Sequence, residues 1–387
     1  MAVESMVPRE SREELESFRE QMRRFVEREL SPHVDAWDEA GELPREIYLK
    51  AGEIGILGLG YPEAYGGTPA SLAMRSVAIQ EIARTGSGGL FVCLFTHSIF
   101  VAPVLAMATE AQKQAWLPPV LRGEKIAAFG VTEPSGGSDV AHLLTRAVRD
   151  GDDYVIDGAK TFISNGVRAE FYAIAARTGG PAGGGISLLF VDRDAPGFTR
   201  TPLKKMGWWM SDTATLHFDG VRVPVTNRIG EEGRGFRVTM ENFNSERLLM
   251  ADEACSFAEA CYDEALAWAR ERQTFGTALV GHQVIRHKLV DMQMRITSTR
   301  RWVESAIASW DEGRRDDAFV AELCMLKNQA GQAMQYCADQ AVQILGGMGF
   351  MRGMKSERIY REAKAIMIGG GTEEVLKELA ARKLGII

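Results

Sequence analysis

Two changes of hydrophobic period divide this chain and dictate its architecture. Up to about residue 125 apolar residues recur at helical spacing, as in Leu15, Phe18, Met22, Phe25 and Val26, with Glu and Arg between them. From there to about 238 the pattern shortens to alternating or β-branched runs parted by turn residues. Strands are predicted over 144–149, 154–163, 171–177, 186–192 and 213–223, with a hairpin turn at Asp150-Gly151-Asp152-Asp153 and a loose loop over 179–185. After Gly235 the helical period returns, with Phe236, Met240, Phe243, Met250, Ala254, Phe257 and Cys261 on one stripe. Further long helical segments follow over 279–310, 317–345 and 356–384. The order α, β, α predicts an α+β chain in three domains: a helical domain over 1–125, a β domain (sandwich or barrel) over 126–238, and a four-helix bundle over 239–387.

Within the first third, Ser31-Pro32 breaks the first helix and Pro44 opens a short second one. A third covers 70–84, a buried pair lies within 86–108, and a helix from 110 is broken at Pro118-Pro119. The stretch 89–108 carries no formal charge, but Thr96, His97, Ser98 and Pro103 suit a soluble core better than a bilayer, so no membrane span is predicted.

Composition narrows the function. With 45 Lys plus Arg against 52 Asp plus Glu, the net charge is −7, which argues against a nucleic-acid surface. The five cysteines show no C-x-x-C spacing, and the six histidines are scattered, so neither disulfides nor a metal site is expected. Residues 1–5 read as no secretory signal, and a reduced, cytoplasmic setting is expected.

The dinucleotide fingerprint G-x-G-x-x-G, the P-loop and the nucleophile elbow are all absent. Three other features carry chemistry. Phe129 to Asp139 runs from a strand-like entry into a Gly-rich turn with hydroxyls, able either to hold a pyrophosphate on successive N–H groups or to serve as a plain turn between domains. On the helix after Gly235, Glu246 lies three residues after Phe243 and four before Met250, so it borders the apolar stripe. A carboxylate there is either a base made stronger by desolvation or half of an ion pair, with Arg300 as a candidate partner. Finally, Gln343 to Phe350 and Gly369-Gly370-Gly371 punctuate helices with glycine. Thr372 offers an N-cap to a last helix led by Glu373 and Glu374, and the same pattern fits ordinary capping.

Together and in this order, these features resemble the acyl-CoA dehydrogenase family across essentially the whole chain. Thr132-Glu133-Pro134 through Ser138-Asp139 is similar to its first signature and 343–374 to its second, while Arg272-Gln273-Thr274-Phe275-Gly276 with His282-Gln283 matches a third segment. The resemblance implies non-covalent FAD and a homotetramer built as a dimer of dimers. It implies that Phe129, Val131, Thr132 and Ser138 line the flavin and pyrophosphate, with Phe162 and Ser164 beside the flavin. Arg272, Phe275, Gln283, Gln343, Gly346 and Gly347 would come from a partner subunit, and Thr372 and Glu374 would also reach the cofactor. Ser138, Asn244, Arg247, Gly370 and Gly371 would meet the substrate; Asn244 stands where many members have Asp.

Many members place the catalytic Glu just before the final Gly-Thr. That position is Gly370 here, which cannot take a proton. Isovaleryl- and long-chain-type members carry the base on the first bundle helix, and Glu246 occupies that place. The implied reaction is α,β-dehydrogenation of an acyl-CoA to the trans-2-enoyl-CoA. Glu246 takes the α proton, hydride passes to flavin N5, the Gly370 N–H aids the thioester oxygen, and an electron-transfer flavoprotein accepts the electrons. Gly370 is expected to leave room near the reacting carbons. A flavin oxidase or monooxygenase of the same fold, a relative acting on a nitroalkane or amine, and a non-catalytic helical binding protein are the alternatives.

Overall fold

The computed structural model describes residues 10–180 and 185–387, with the side chain of Glu241 excepted. Part of the loop expected over 179–185, namely 181–184, and the segment 1–5 read for a signal lie outside the described residues. By packing, the chain divides into two compact units. One comprises residues up to 36, 70–88 and 244–387; the other comprises 37–69 and 89–243.

In chain order the first helices are α1 (Arg12–Phe25), α2 (Val34–Ala40), α3 (Arg45–Glu53), α4 (Leu72–Ala83), α5 (Gly88–Phe95), α6 (Ser98–Met107) and α7 (Glu110–Leu121). Ser11 and Glu14 form a capping box at the start of α1, and Thr109 and Gln112 form another at α7. A turn of π-helix (Val26–Leu30) follows α1 just before the expected break. The uncharged stretch folds as α5 and α6; taken together, Gly88–Met107 is 20 residues, long and apolar enough by length and composition to cross a membrane, and 61% of its most apolar window is buried inside the protein. α7 runs through Pro118 and Pro119 instead of breaking there. Both prolines fall in its last turns, where burial of Leu117, Val120 and Leu121 offsets the hydrogen bonds lost.

The β region forms one eight-stranded sheet from β1 (Ala127–Gly130), β2 (Arg146–Asp150), β3 (Asp153–Ser164), β4 (Phe171–Arg177), β5 (Ile186–Asp192), β6 (Phe198–Pro202), β7 (Thr213–Pro224) and β8 (Arg228–Ile229). The spatial order is β6-β7-β3-β2-β4-β5-β8, with β1 paired to β4 in parallel. The five predicted strands are present. β6 carried no clear signal and sits at the sheet edge, where its terminal Pro202 is tolerated. The core of this unit joins α6, α7 and the sheet through Phe100, Leu117, Phe129 and Phe190, and the Trp116 ring stacks on Phe190 at 4.3 Å.

The remaining helices are α8 (Gly235–Glu271), α9 (Gln283–Asp311), α10 (Asp317–Leu345), α11 (Lys355–Ile368) and α12 (Glu373–Lys383). The last predicted helix is therefore two helices parted at the glycines. α10 packs on α9, α11 and α12, and α1 packs on α4. Half-buried carboxylates tie helix ends together: Asp311 of α9 accepts from the N–H groups of Leu72 and Ala73, and Glu264 of α8 accepts from those of Lys355 and Ser356. All five cysteines are buried and free.

Candidate functional site

In the β-containing unit, the turn after β1 is fixed from below. Glu133 is buried and accepts from the Thr145 N–H at 2.8 Å and from Lys160 Nζ at 2.7 Å. Lys160, fully buried on β3, also donates to the Val131 carbonyl at 3.2 Å, and the Thr161 N–H donates to the Thr132 carbonyl at 2.9 Å. Burial drives the Lys160 ammonium down to about 8 against the pull of Glu133. Burial alone would raise the Glu133 carboxyl, but Lys160 and the hydrogen bonds from Thr145 and Leu144 outweigh it and hold it below the ordinary range. Glu133 is thus a tie, not a free carboxylate.

The residues expected at a flavin lie on β1, the turn after it and β3, and the Thr161–Thr132 bond joins that turn to β3. Phe129 is buried, Val131, Thr132 and Ser164 are half-buried, and Ser138 is exposed. Phe162 leaves 70% of its surface exposed while its φ is +59°. A non-glycine residue held there costs about 1–3 kcal/mol, and such strain collects at ligand sites. An exposed aromatic ring on β3 and a hydroxyl-bearing turn after β1 are side-chain types that suit a planar, phosphate-bearing group such as FAD.

In the helical unit, Glu246, Arg247 and Asn244 share α8 with Met250. Glu246 is half-buried one turn before Met250, so the two share a face. Arg300 is occupied elsewhere: it binds Asp252, and its Nε lies 2.9 Å from Glu259. The ion pair considered for Glu246 with Arg300 is therefore not formed. Arg247 is 7% exposed, and burial lowers its pKa. Its Nε donates to the Gly370 carbonyl at 3.3 Å and its Nη1 to Asn244 Oδ1 at 3.0 Å. Asn244 thus holds the arginine through its amide.

A Cβ built at Gly370 would lie 2.7 Å from Met250 Sδ, so a larger residue there would require the flexible end of the Met250 side chain to shift. The φ of Gly370 is +66° and that of Gly371 is +107°, conformations that favour glycine. Met250 fills the space beside this turn on the face it shares with Glu246. Thr372 caps α12 by accepting from the Val375 N–H at 3.4 Å, as the sequence suggests, and Glu374 is exposed in its first turn.

Of the other expected cofactor residues, Arg272, Gln283, Gln343, Gly346 and Gly347 are exposed. Phe275 is 98% exposed at φ +51° in the hairpin between α8 and α9, where His282 Nε2 lies 3.0 Å from Thr274 Oγ1. Sequence reading missed Lys160 and Lys327. The sequence signal is weak: Lys160 stands between Gly158-Ala159 and Thr161-Phe162, and Lys327 ends the apolar run Leu323 to Leu326 and is followed by Asn328-Gln329. Among the described residues no cluster of His, Cys, Asp and Glu could hold a metal.

Family models for the acyl-CoA dehydrogenase N-terminal, middle and C-terminal domains match residues 12–124, 128–221 and 233–385. The chain is 36% identical to the probable acyl-CoA dehydrogenase YngJ of Bacillus subtilis, over 96% of this chain and 98% of that one. It is also 36% identical to the mitochondrial long-chain specific acyl-CoA dehydrogenase of Rattus norvegicus, over 95% and 85%. The crystal structure of a probable acyl-CoA dehydrogenase from Mycobacterium abscessus superposes with a TM-score of 0.94 at 44% identity, covering 97% of this chain and 99% of that one.

Proposed function

The chain belongs to the acyl-CoA dehydrogenase family, and we propose that Glu246 is the base with which it opens its substrate. The family makes it an FAD-dependent oxidoreductase of the CH–CH group, acting on an acyl-CoA thioester. The observation that carries the choice of base is the pairing of Glu246 with Met250 on one face of α8, with Met250 lying against Gly370. The position used by many members holds a glycine with the Met250 thioether beside it, and the half-buried carboxylate stands one turn before that methionine.

Bound FAD would supply the acceptor for the β hydrogen and its electron pair. Glu246 removes the α proton. The Gly370 N–H donates to the thioester oxygen as negative charge grows there, and a preorganised donor of this kind is worth about 3–4 kcal/mol. Phe129, Val131, Thr132, Ser138, Phe162 and Ser164 orient the flavin and pyrophosphate, and Thr372 and Glu374 contribute from the start of α12. Ser138, Asn244, Arg247 and Gly371 flank the acyl-CoA.

The domain division 1–125, 126–238 and 239–387 belongs to this reading. So does a homotetramer in which a second copy supplies Arg272, Phe275, Gln283, Gln343, Gly346 and Gly347. The exposure of Phe275 supports that part. An electron-transfer flavoprotein as acceptor belongs to the same reading, and a cytoplasmic setting is in keeping with five free cysteines.

The test is anaerobic titration of the yellow holoenzyme with linear and branched acyl-CoAs. Loss of flavin absorbance with at least one of them is expected. No loss with any member of the panel, or no FAD bound at all, would overturn the reading; rapid return of colour in air would make oxygen the acceptor.

A further inference from the structure

We propose that Lys327, together with Arg247, is a positioning residue that aims the N–H groups of the Gly369–Thr372 turn at the thioester oxygen. The proposal rests on the acyl-CoA reading above. Lys327 of α10 is 1% exposed, and its Nζ donates to the Gly371 carbonyl at 2.9 Å. Arg247 of α8 donates to the preceding carbonyl, that of Gly370. Two buried cations from two helices thus hold two consecutive peptide oxygens.

The chain contains no cis peptide bond, so each peptide N–H points away from its own carbonyl. Holding the Gly370 oxygen directs the Gly371 N–H to the opposite side, and holding the Gly371 oxygen does the same for Thr372. The φ of +66° at Gly370 is a left-handed conformation open to glycine, and it carries the chain from the Gly370 N–H into the first of these planes. Among the described residues none of these three N–H groups has an acceptor. They precede the first turn of α12, whose dipole adds positive potential at the same place. Asn328, next to Lys327, donates to the carbonyl of Glu373, the first residue of α12, at 3.0 Å, so α10 holds the turn and the start of the helix that follows it.

Stability alone is a poor reason for this arrangement. Lys327 forms no salt bridge among the described residues. Burial and the nearby Arg247 lower its pKa to about 8, with Glu373 and Cys324 opposing. An apolar side chain of similar length would fill the space without that penalty. A cation behind two N–H donors is instead what a developing oxyanion needs.

The experiment uses the FAD-loaded enzyme with a 3-ketoacyl-CoA, an analogue that binds as its enolate and gives a long-wavelength band with oxidised flavin. The pH midpoint of that band is measured for wild type, Lys327→Met and Lys327→Arg. The methionine variant is expected to keep its FAD and its affinity for CoA within about three-fold, yet to raise the midpoint by one unit, a ten-fold loss of enolate stabilisation. The arginine variant is expected to recover at least half of the shift. An unchanged midpoint in Lys327→Met overturns the proposal, as does loss of FAD from both variants, which would make the lysine a folding residue. A wild type that gives no enolate band refutes the acyl-CoA reading itself, and the proposal falls with it.

Discussion

Glu246, Met250 and Gly370 form the smallest unit on which the chemistry can be judged. Their arrangement predicts that Glu246→Gln keeps its FAD and its fold but slows acyl-CoA-dependent flavin bleaching by 10²-fold or more, the usual range for losing a general base. Near-normal bleaching would exclude that role. The same three residues predict that the base cannot be moved simply. In a Glu246→Gly, Gly370→Glu double variant the new side chain would start from a φ of +66° with Met250 Sδ 2.7 Å from its Cβ. No bleaching is expected from that variant, and recovery of activity would show that Met250 yields. Glu246 could be found in the sequence because α8 has a readable apolar stripe. The place of Met250 beside Gly370 could not, because it depends on a turn 120 residues later in the chain.

At the scale of elements, helices and most strands were legible because their hydrophobic periods are regular. The exceptions have local causes. α7 outlasts two prolines because its last turns are buried, and β6 pairs as an edge strand despite a sequence without clear alternation. What periodicity hides is a polar tie between elements, such as Glu133 with Lys160 beneath the β1 turn. Breaking one partner of a buried pair leaves a charge unpaired and costs about 3–5 kcal/mol. Glu133→Gln is therefore expected to lower thermal stability and to weaken FAD binding at least ten-fold by fluorescence titration, because the Val131 and Thr132 carbonyls lose their fixed backing. Unchanged FAD affinity would confine the pair to a structural role.

For the whole molecule, two buried carboxylates set the acid limit. Burial raises the Glu81 carboxyl, but the Arg23 and Arg19 guanidiniums outweigh it and hold it below its ordinary value, as Lys160 does for Glu133. Groups with lowered folded pKa values stabilise fully above the unfolded value near 4.5 and lose that contribution as pH falls through the folded ones. Thermal stability should fall as pH is lowered from 5 into that lower range, and Glu81→Gln should flatten the curve; an equally steep curve would place the proton uptake elsewhere. Exposed Phe275, Phe350, Val284, Val290 and Met294 on the helical unit suit burial against further copies. Light scattering should give four times 42.6 kDa, and Phe275→Asp should lower both that mass and FAD retention. The most direct measurement on the account as a whole separates proton removal from oxidation. Chemically reduced holoenzyme is held in D₂O with a saturated acyl-CoA, and deuterium entry at the α carbon is followed by NMR. Wild type is expected to exchange that hydrogen and Glu246→Gln to do so at least 100-fold more slowly; equal exchange in the two would show that another group is the base.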